Sequence, residues 1–149
     1  MKKSPFLPIN SFTHFGLLFS HLSCFLTNVF TIFLHSFAEN MYIREMRMER
    51  GQLGISVIQK YEYPFFLLKG RLAVSSENGI IEMVGPEYII SPSGAKRIVY
   101  AVENCTIVTV HPNPMNTKDL NILEKYLYAF NWKDYNEFLK ERKKNEKNK

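Results

Sequence analysis

The sequence predicts an all-β barrel of the jelly-roll kind over about residues 41–111, followed by one or two C-terminal α-helices. Three observations carry this. Eight short runs rich in β-branched and aromatic residues fall within that stretch. Gly, Pro, Asn and Ser clusters punctuate them at the spacing of a sandwich or closed barrel. No run alternates with a helical pattern, which disfavours a doubly wound parallel sheet.

Met41–Met48 alternates Tyr, Arg and Met with charged residues and reads as an edge or half-buried strand, closed by the turn Glu49-Arg50-Gly51. Leu53–Gln59 and Phe65–Leu68 are the second and third strands, and Lys69-Gly70 ends the latter. Arg71–Ser75 and Ile80–Val84 are joined by Glu77-Asn78-Gly79, whose Asn-Gly pair favours a tight hairpin. Gly85-Pro86 breaks the chain before Tyr88–Ser91, and Pro92-Ser93-Gly94 turns it again. Arg97–Val102 and Thr106–His111 complete the set.

After His111 the pattern changes. Pro112 and Pro114 stop the last strand, and Asn116 or Thr117 can cap a helix with Asp119 in its first turn. Leu120, Leu123, Leu127 and Phe130 share one helical face that can lie on the barrel. Trp132, Tyr135, Phe138 and Leu139 suggest a second, shorter helix and read as packing residues rather than a ligand cage.

The net charge of +5 does not belong to the domain. Residues 41–138 carry eleven basic and eleven acidic side chains, so the excess sits at the two ends. Residues 139–149 form a basic, disordered tail with six Lys/Arg against two Glu. No specific nucleic-acid partner is expected; non-specific, salt-sensitive binding by Lys140–Lys149 is the one such route. Cys24 and Cys105 form neither a disulfide framework nor a metal pair, and Cys105 reads as a small buried hydrophobe.

Residues 1–40 form a hydrophobic extension in which only Lys2, Lys3 and Glu39 are charged. Three readings stay open. It is a signal peptide with Ser36-Phe37-Ala38 as cleavage site, a membrane anchor across Phe15–Phe37, or sequence upstream of a true start at Met41. His14, His21, Asn28 and His35 interrupt the apolar run and weigh against the first two.

Two half-motifs occur in order. Gly51, Val57, Gln59, Tyr63 and Gly70 keep the spacing G-x5-H-x-H-x3-E-x6-G, and Gly85, Pro92, Gly94 and Arg97 keep G-x6-P-x-G-x2-H. On this spacing the domain resembles the cupins. The glycines and proline that shape turns are kept, whereas the four ligand positions read Val57, Gln59, Tyr63 and Arg97. A valine cannot coordinate and an arginine brings a fixed positive charge, so no metal, no cofactor and no metal-dependent reaction is expected.

More closely, MYIREMRMERG, VIQKYEYPFFLLKGRLAV, SPSGAKRIVYAVENC and TVHP resemble the small cupin-like proteins encoded by tailed bacteriophages. The resemblance covers about residues 40–138, within the domain assigned to 41–138, and includes the Lys96-Arg97 pair. It implies a viral protein in the cytoplasm of the infected bacterium or on the virion. Export or membrane anchoring is the alternative if residues 1–40 are retained.

The leading expectation is a non-enzymatic module with a structural or interaction role, forming a homodimer through the apolar residues Tyr42, Ile43, Met46 and Met48 of an edge strand. The alternative is a binder of a small anionic ligand in the barrel mouth. There Gln59, Tyr63 and Arg97 share a cavity, Tyr100 and Glu62 flank the opening, and Arg97 supplies the bidentate contact. Against that stands an Arg97 tied by an ion pair to Glu62 or Glu103. A displaced metal site around His111 is a lesser hypothesis, since this lone histidine more readily plays a hydrogen-bonded structural part.

Overall fold

Short β-branched runs separated by glycine and proline turns leave the chain few options but antiparallel pairing, and a computed structural model describes the result for residues 31–147. The strands are β1 (Ile32–Ala38), β2 (Met41–Met48), β3 (Leu53–Ile55), β4 (Ile58–Gln59), β5 (Tyr63–Lys69) and β6 (Arg71–Ser76). They continue as β7 (Gly79–Val84), β8 (Glu87–Ser91), β9 (Ile98–Ala101) and β10 (Cys105–Pro112). Helix α1 (Leu120–Leu127), the short β11 (Tyr128–Ala129) and helix α2 (Trp132–Lys147) follow.

Two sheets face each other, one in the order β1-β2-β10-β5-β8 and the other in the order β3-β9-β6-β7. Leaving β1 aside, this is the interleaved antiparallel order of an eight-stranded jelly roll. The first and last barrel strands lie side by side, from Met41↔Pro112 to Cys105↔Met48. Inward residues fill the space between the sheets: Leu67, Leu72, Val74 and Ile107 are fully buried. Each such side chain contributes about 1.5–3 kcal/mol of transfer free energy.

Four features depart from the sequence expectation. Among the described residues the sheet begins at Ile32: β1, which lies wholly before the boundary drawn at residue 40 and contains the Ser36-Phe37-Ala38 site, pairs with β2. Residues 1–30, including most of the Phe15–Phe37 anchor and Cys24, lie outside the described residues. Among the described residues no helix is long and apolar enough to cross a membrane.

Second, β2 is not an edge. It is hydrogen-bonded on both sides, to β1 and to β10, and Tyr42, Met46 and Met48 point into the core. Third, the expected strand Leu53–Gln59 divides. β3 pairs with β9, while β4 leaves the sheet to pair with β11, with Ser56 bonded to the Arg97 carbonyl between them.

Fourth, the C-terminal helices differ in extent. Asp119, not Asn116 or Thr117, caps α1: its carboxylate accepts from the Asn121 N–H at 2.8 Å. Leu123 and Leu127 are buried, whereas Leu120 and Phe130 are exposed, Phe130 lying beyond the helix end. Helix α2 is the longer of the two and runs through the expected tail as far as Lys147, with an Arg142–Glu146 pair one turn apart at 3.1 Å. Tyr135 anchors it, its hydroxyl 2.9 Å from the Ser93 hydroxyl on the Pro92-Ser93-Gly94 turn.

Candidate functional site

Alternation along a strand sends every second side chain to the same side. On β2 that rule places Tyr42, Arg44, Met46 and Met48 inside the barrel, so a guanidinium sits among core residues. Its Nη1 donates to the Tyr128 hydroxyl at 3.0 Å, and its carbon lies 5.8 Å from the Tyr128 ring centre and 6.0 Å from that of Phe33. Burial pulls the Arg44 pKa down, but Tyr128, Tyr42, Tyr63 and Glu124 together hold it above its usual value. Arg44 is a fixed charge. The sequence reading missed it.

His111 lies beside Arg44 and is likewise on the inward face. Its ring stacks on Tyr63 at 4.6 Å and on Tyr42 at 5.8 Å, and Nε2 is 3.0 Å from the Thr109 hydroxyl. Burial first, and then the Arg44 charge, push its pKa down to about 3. A neutral imidazole pressed between two phenol rings is a packing element with one hydrogen bond. Its surroundings offer no second metal ligand: among the described residues no three His, Cys, Asp or Glu side chains gather closely enough to hold an ion.

Three of the four candidate ligand residues come together. Gln59 on β4, Tyr63 at the start of β5 and Arg97 just before β9 line one cavity of about 50 Å³, partly open to solvent, together with Arg44, Ser56 and Thr109. The rest of the lining is apolar and contains no carboxylate. Tyr100 is not part of it. It alternates with the buried Val99 and Ala101 on β9, so its side chain projects from the opposite side of the sheet.

Among the described residues, Arg97 is not held by an ion pair. Its Nε donates to the Ser91 hydroxyl at 3.2 Å and its Nη1 to the Ser75 carbonyl at 2.8 Å. Of the two acids expected to tie it, Glu103 pairs with Arg71 at 3.6 Å and Glu62 is exposed. The positions at which the sequence resemblance would place metal ligands therefore hold Gln59, Tyr63 and a guanidinium, with a second guanidinium on the facing sheet. These residues do not fit a divalent cation.

No family model matches the chain, and no curated protein matches it by sequence. Among solved structures it is similar to a cupin-2 domain protein from Shewanella frigidimarina, at 16% identity and a TM-score of 0.49, covering 58% of this chain and 85% of that one. It is also similar to the cupin-2 domain of an XRE-family transcriptional regulator from Enterobacter cloacae, at 8% identity and a TM-score of 0.49, covering 56% and 98%. A salicylate 1,2-dioxygenase from Pseudoaminobacter salicylatoxidans matches at 13% identity and a TM-score of 0.48, covering 57% and 23%. The strand order described above is what decides the architecture. The fold is a cupin-like jelly roll followed by two helices. This likeness concerns fold alone, since proteins of one fold host unrelated chemistries.

Proposed function

We propose that this cupin-like barrel is a non-enzymatic module that works by self-association in a structural or protein-interaction role. The observation behind the reading is the outer face of the five-stranded sheet. Ile90 and Tyr88 on β8, Phe66 and Leu68 on β5, Val108 and Val110 on β10, Ile43 on β2 and Leu34 on β1 all project from the side opposite the core. Tyr88 is 64% exposed, Ile90 56% and Leu68 50%.

Such a patch is on the order of 500 Å², at the upper end of what a monomer leaves bare and a large part of the roughly 800 Å² per partner of a standard interface. Glu45 and Arg47 lie on the same face as a pair at 2.7 Å. The two neutralise each other, so the pair adds no net charge that would repel a second copy meeting this face. The dimer thus uses the sheet face rather than the strand edge that the sequence suggested. The resemblance to phage-encoded cupin-like proteins favours a place in the infected cell or on the virion.

Light scattering at tens of micromolar tests this. The expected result is a dimer that becomes a monomer in Tyr88→Lys/Ile90→Lys, with circular dichroism unchanged. A wild-type chain that is strictly monomeric overturns the reading.

A further inference from the structure

The interior holds more positive charge than it neutralises. Arg44 and Arg97 both line the cavity, and the groups they bond to are a phenol, a serine hydroxyl and a backbone carbonyl, all neutral. Neither takes part in an ion pair among the described residues. Glu124 acts on Arg44 electrostatically without contacting it. Two guanidinium groups sharing one low-dielectric space repel each other and are costly to desolvate.

Two further donors face the same space. Gln59 is only 2% exposed and Tyr63 only 5%, yet neither the Gln59 side-chain amide nor the Tyr63 hydroxyl has a hydrogen-bond partner among the described residues. Each nevertheless reaches open space, because no buried side-chain N or O atom is left unsatisfied. Both of them line the cavity.

We propose that the barrel interior binds a small anion, held between Arg44 and Arg97 with the Gln59 amide and the Tyr63 hydroxyl as its other donors. Its size follows from the volume. A buried water needs roughly 10–15 Å³ of such space, so a 50 Å³ cavity takes an anion of about three or four heavy atoms. Metabolite pockets are several-fold larger, at roughly 300 Å³ or more. A planar oxyanion such as formate, nitrate or hydrogencarbonate suits the guanidinium fork, which presents paired N–H groups in one plane. A cation is repelled, and a neutral guest leaves both charges uncompensated.

This site is independent of the self-association face, and the two fail separately. The full chain is melted in sodium gluconate at fixed ionic strength, with gluconate replaced stepwise by sodium formate or sodium nitrate. We expect a saturable rise in Tm with the small anions, and with the much larger citrate only the unsaturating rise of an excluded kosmotrope. Arg97→Gln and Gln59→Leu should move the half-saturation point up by at least about 10-fold, as loss of a hydrogen bond to a charged group implies. Arg97→Lys keeps the charge without the fork and should fall between. Gln59→Leu removes no charge and decides the matter alone if the arginine variants do not fold. No saturable rise by about 100 mM, an equally saturable rise with citrate, or unchanged half-saturation in Gln59→Leu overturns the proposal.

Discussion

At neutral pH the His111 ring is uncharged, and the reason lies in what surrounds it rather than in the imidazole. Phenol rings on both sides strip its water and the Arg44 charge opposes a second cation, which takes its pKa down to about 3 from an unfolded value of 6.5. Below pH 6.5 the unfolded chain therefore binds a proton that the folded chain refuses. The stability contributed by this pair of states is complete above pH 6.5 and is lost as pH falls toward 3, at about 1.4 kcal/mol per pH unit. His35 has its pKa lowered too, again by burial and then by Arg44. Melting from pH 7 to pH 4 should show a steep fall in Tm that is shallower in His111→Phe, with the difference growing to roughly 2 kcal/mol at pH 5. Arg44 was legible in principle, because it stands two residues from both Tyr42 and Met46 on one strand. It was overlooked because a charged residue in an apparent edge strand is assigned to solvent. Gln59, Tyr63 and Arg97 were found because fixed spacing between turn glycines marks inward positions whatever residue occupies them. Tyr100 was misplaced by one step of the same alternation.

Helix α2 packs on Ile58, Ala129 and Tyr61, and Gly94 is what makes its contact with the Pro92-Ser93-Gly94 turn fit. Its φ is 84°, and a Cβ there would meet the Tyr135 hydroxyl at 2.8 Å. Gly94→Ala should cost about 1–3 kcal/mol in urea unfolding, partly from backbone strain and partly from displacing the tyrosine. Combining it with Tyr135→Ala should cost less than the sum of the two, since both act at one contact. The same turn holds β4 in place: Gly94 donates to the Gln59 carbonyl at 2.7 Å. Strand β1 is the element that sequence concealed. Phe33 and Phe37 point inward and Ile32 and Leu34 outward, so its alternation lacks the polar contrast that marks a half-buried strand. A chain starting at Met41 would lose those rings and the 2.8 Å contact between His35 and the Tyr42 hydroxyl. It would also leave β2 with an unpaired edge. Lower Tm, by at least about 3 kcal/mol of stability, and concentration-dependent aggregation are the expected outcomes; unchanged melting would show β1 to be dispensable.

Over the whole molecule, the architecture was legible because jelly-roll punctuation is written in glycine and proline. The order of strands within the sheets was not, because pairing between distant segments leaves no local signature. The basic tail illustrates the opposite error. Its charge suggested disorder, yet one buried tyrosine and two partly buried neighbours, Phe138 and Leu139, are enough to seat a helix that carries the charged residues outward. The pairing of β2 with β10 also has a consequence in time. Met41 and Pro112 are roughly seventy residues apart, so the centre of the larger sheet forms only after the last strand has been synthesised, which places the domain among slow, high-contact-order folders. Until then Met46 and Met48 have no partner strand on that side, and the nascent chain presents them to whatever else is near as it leaves the ribosome.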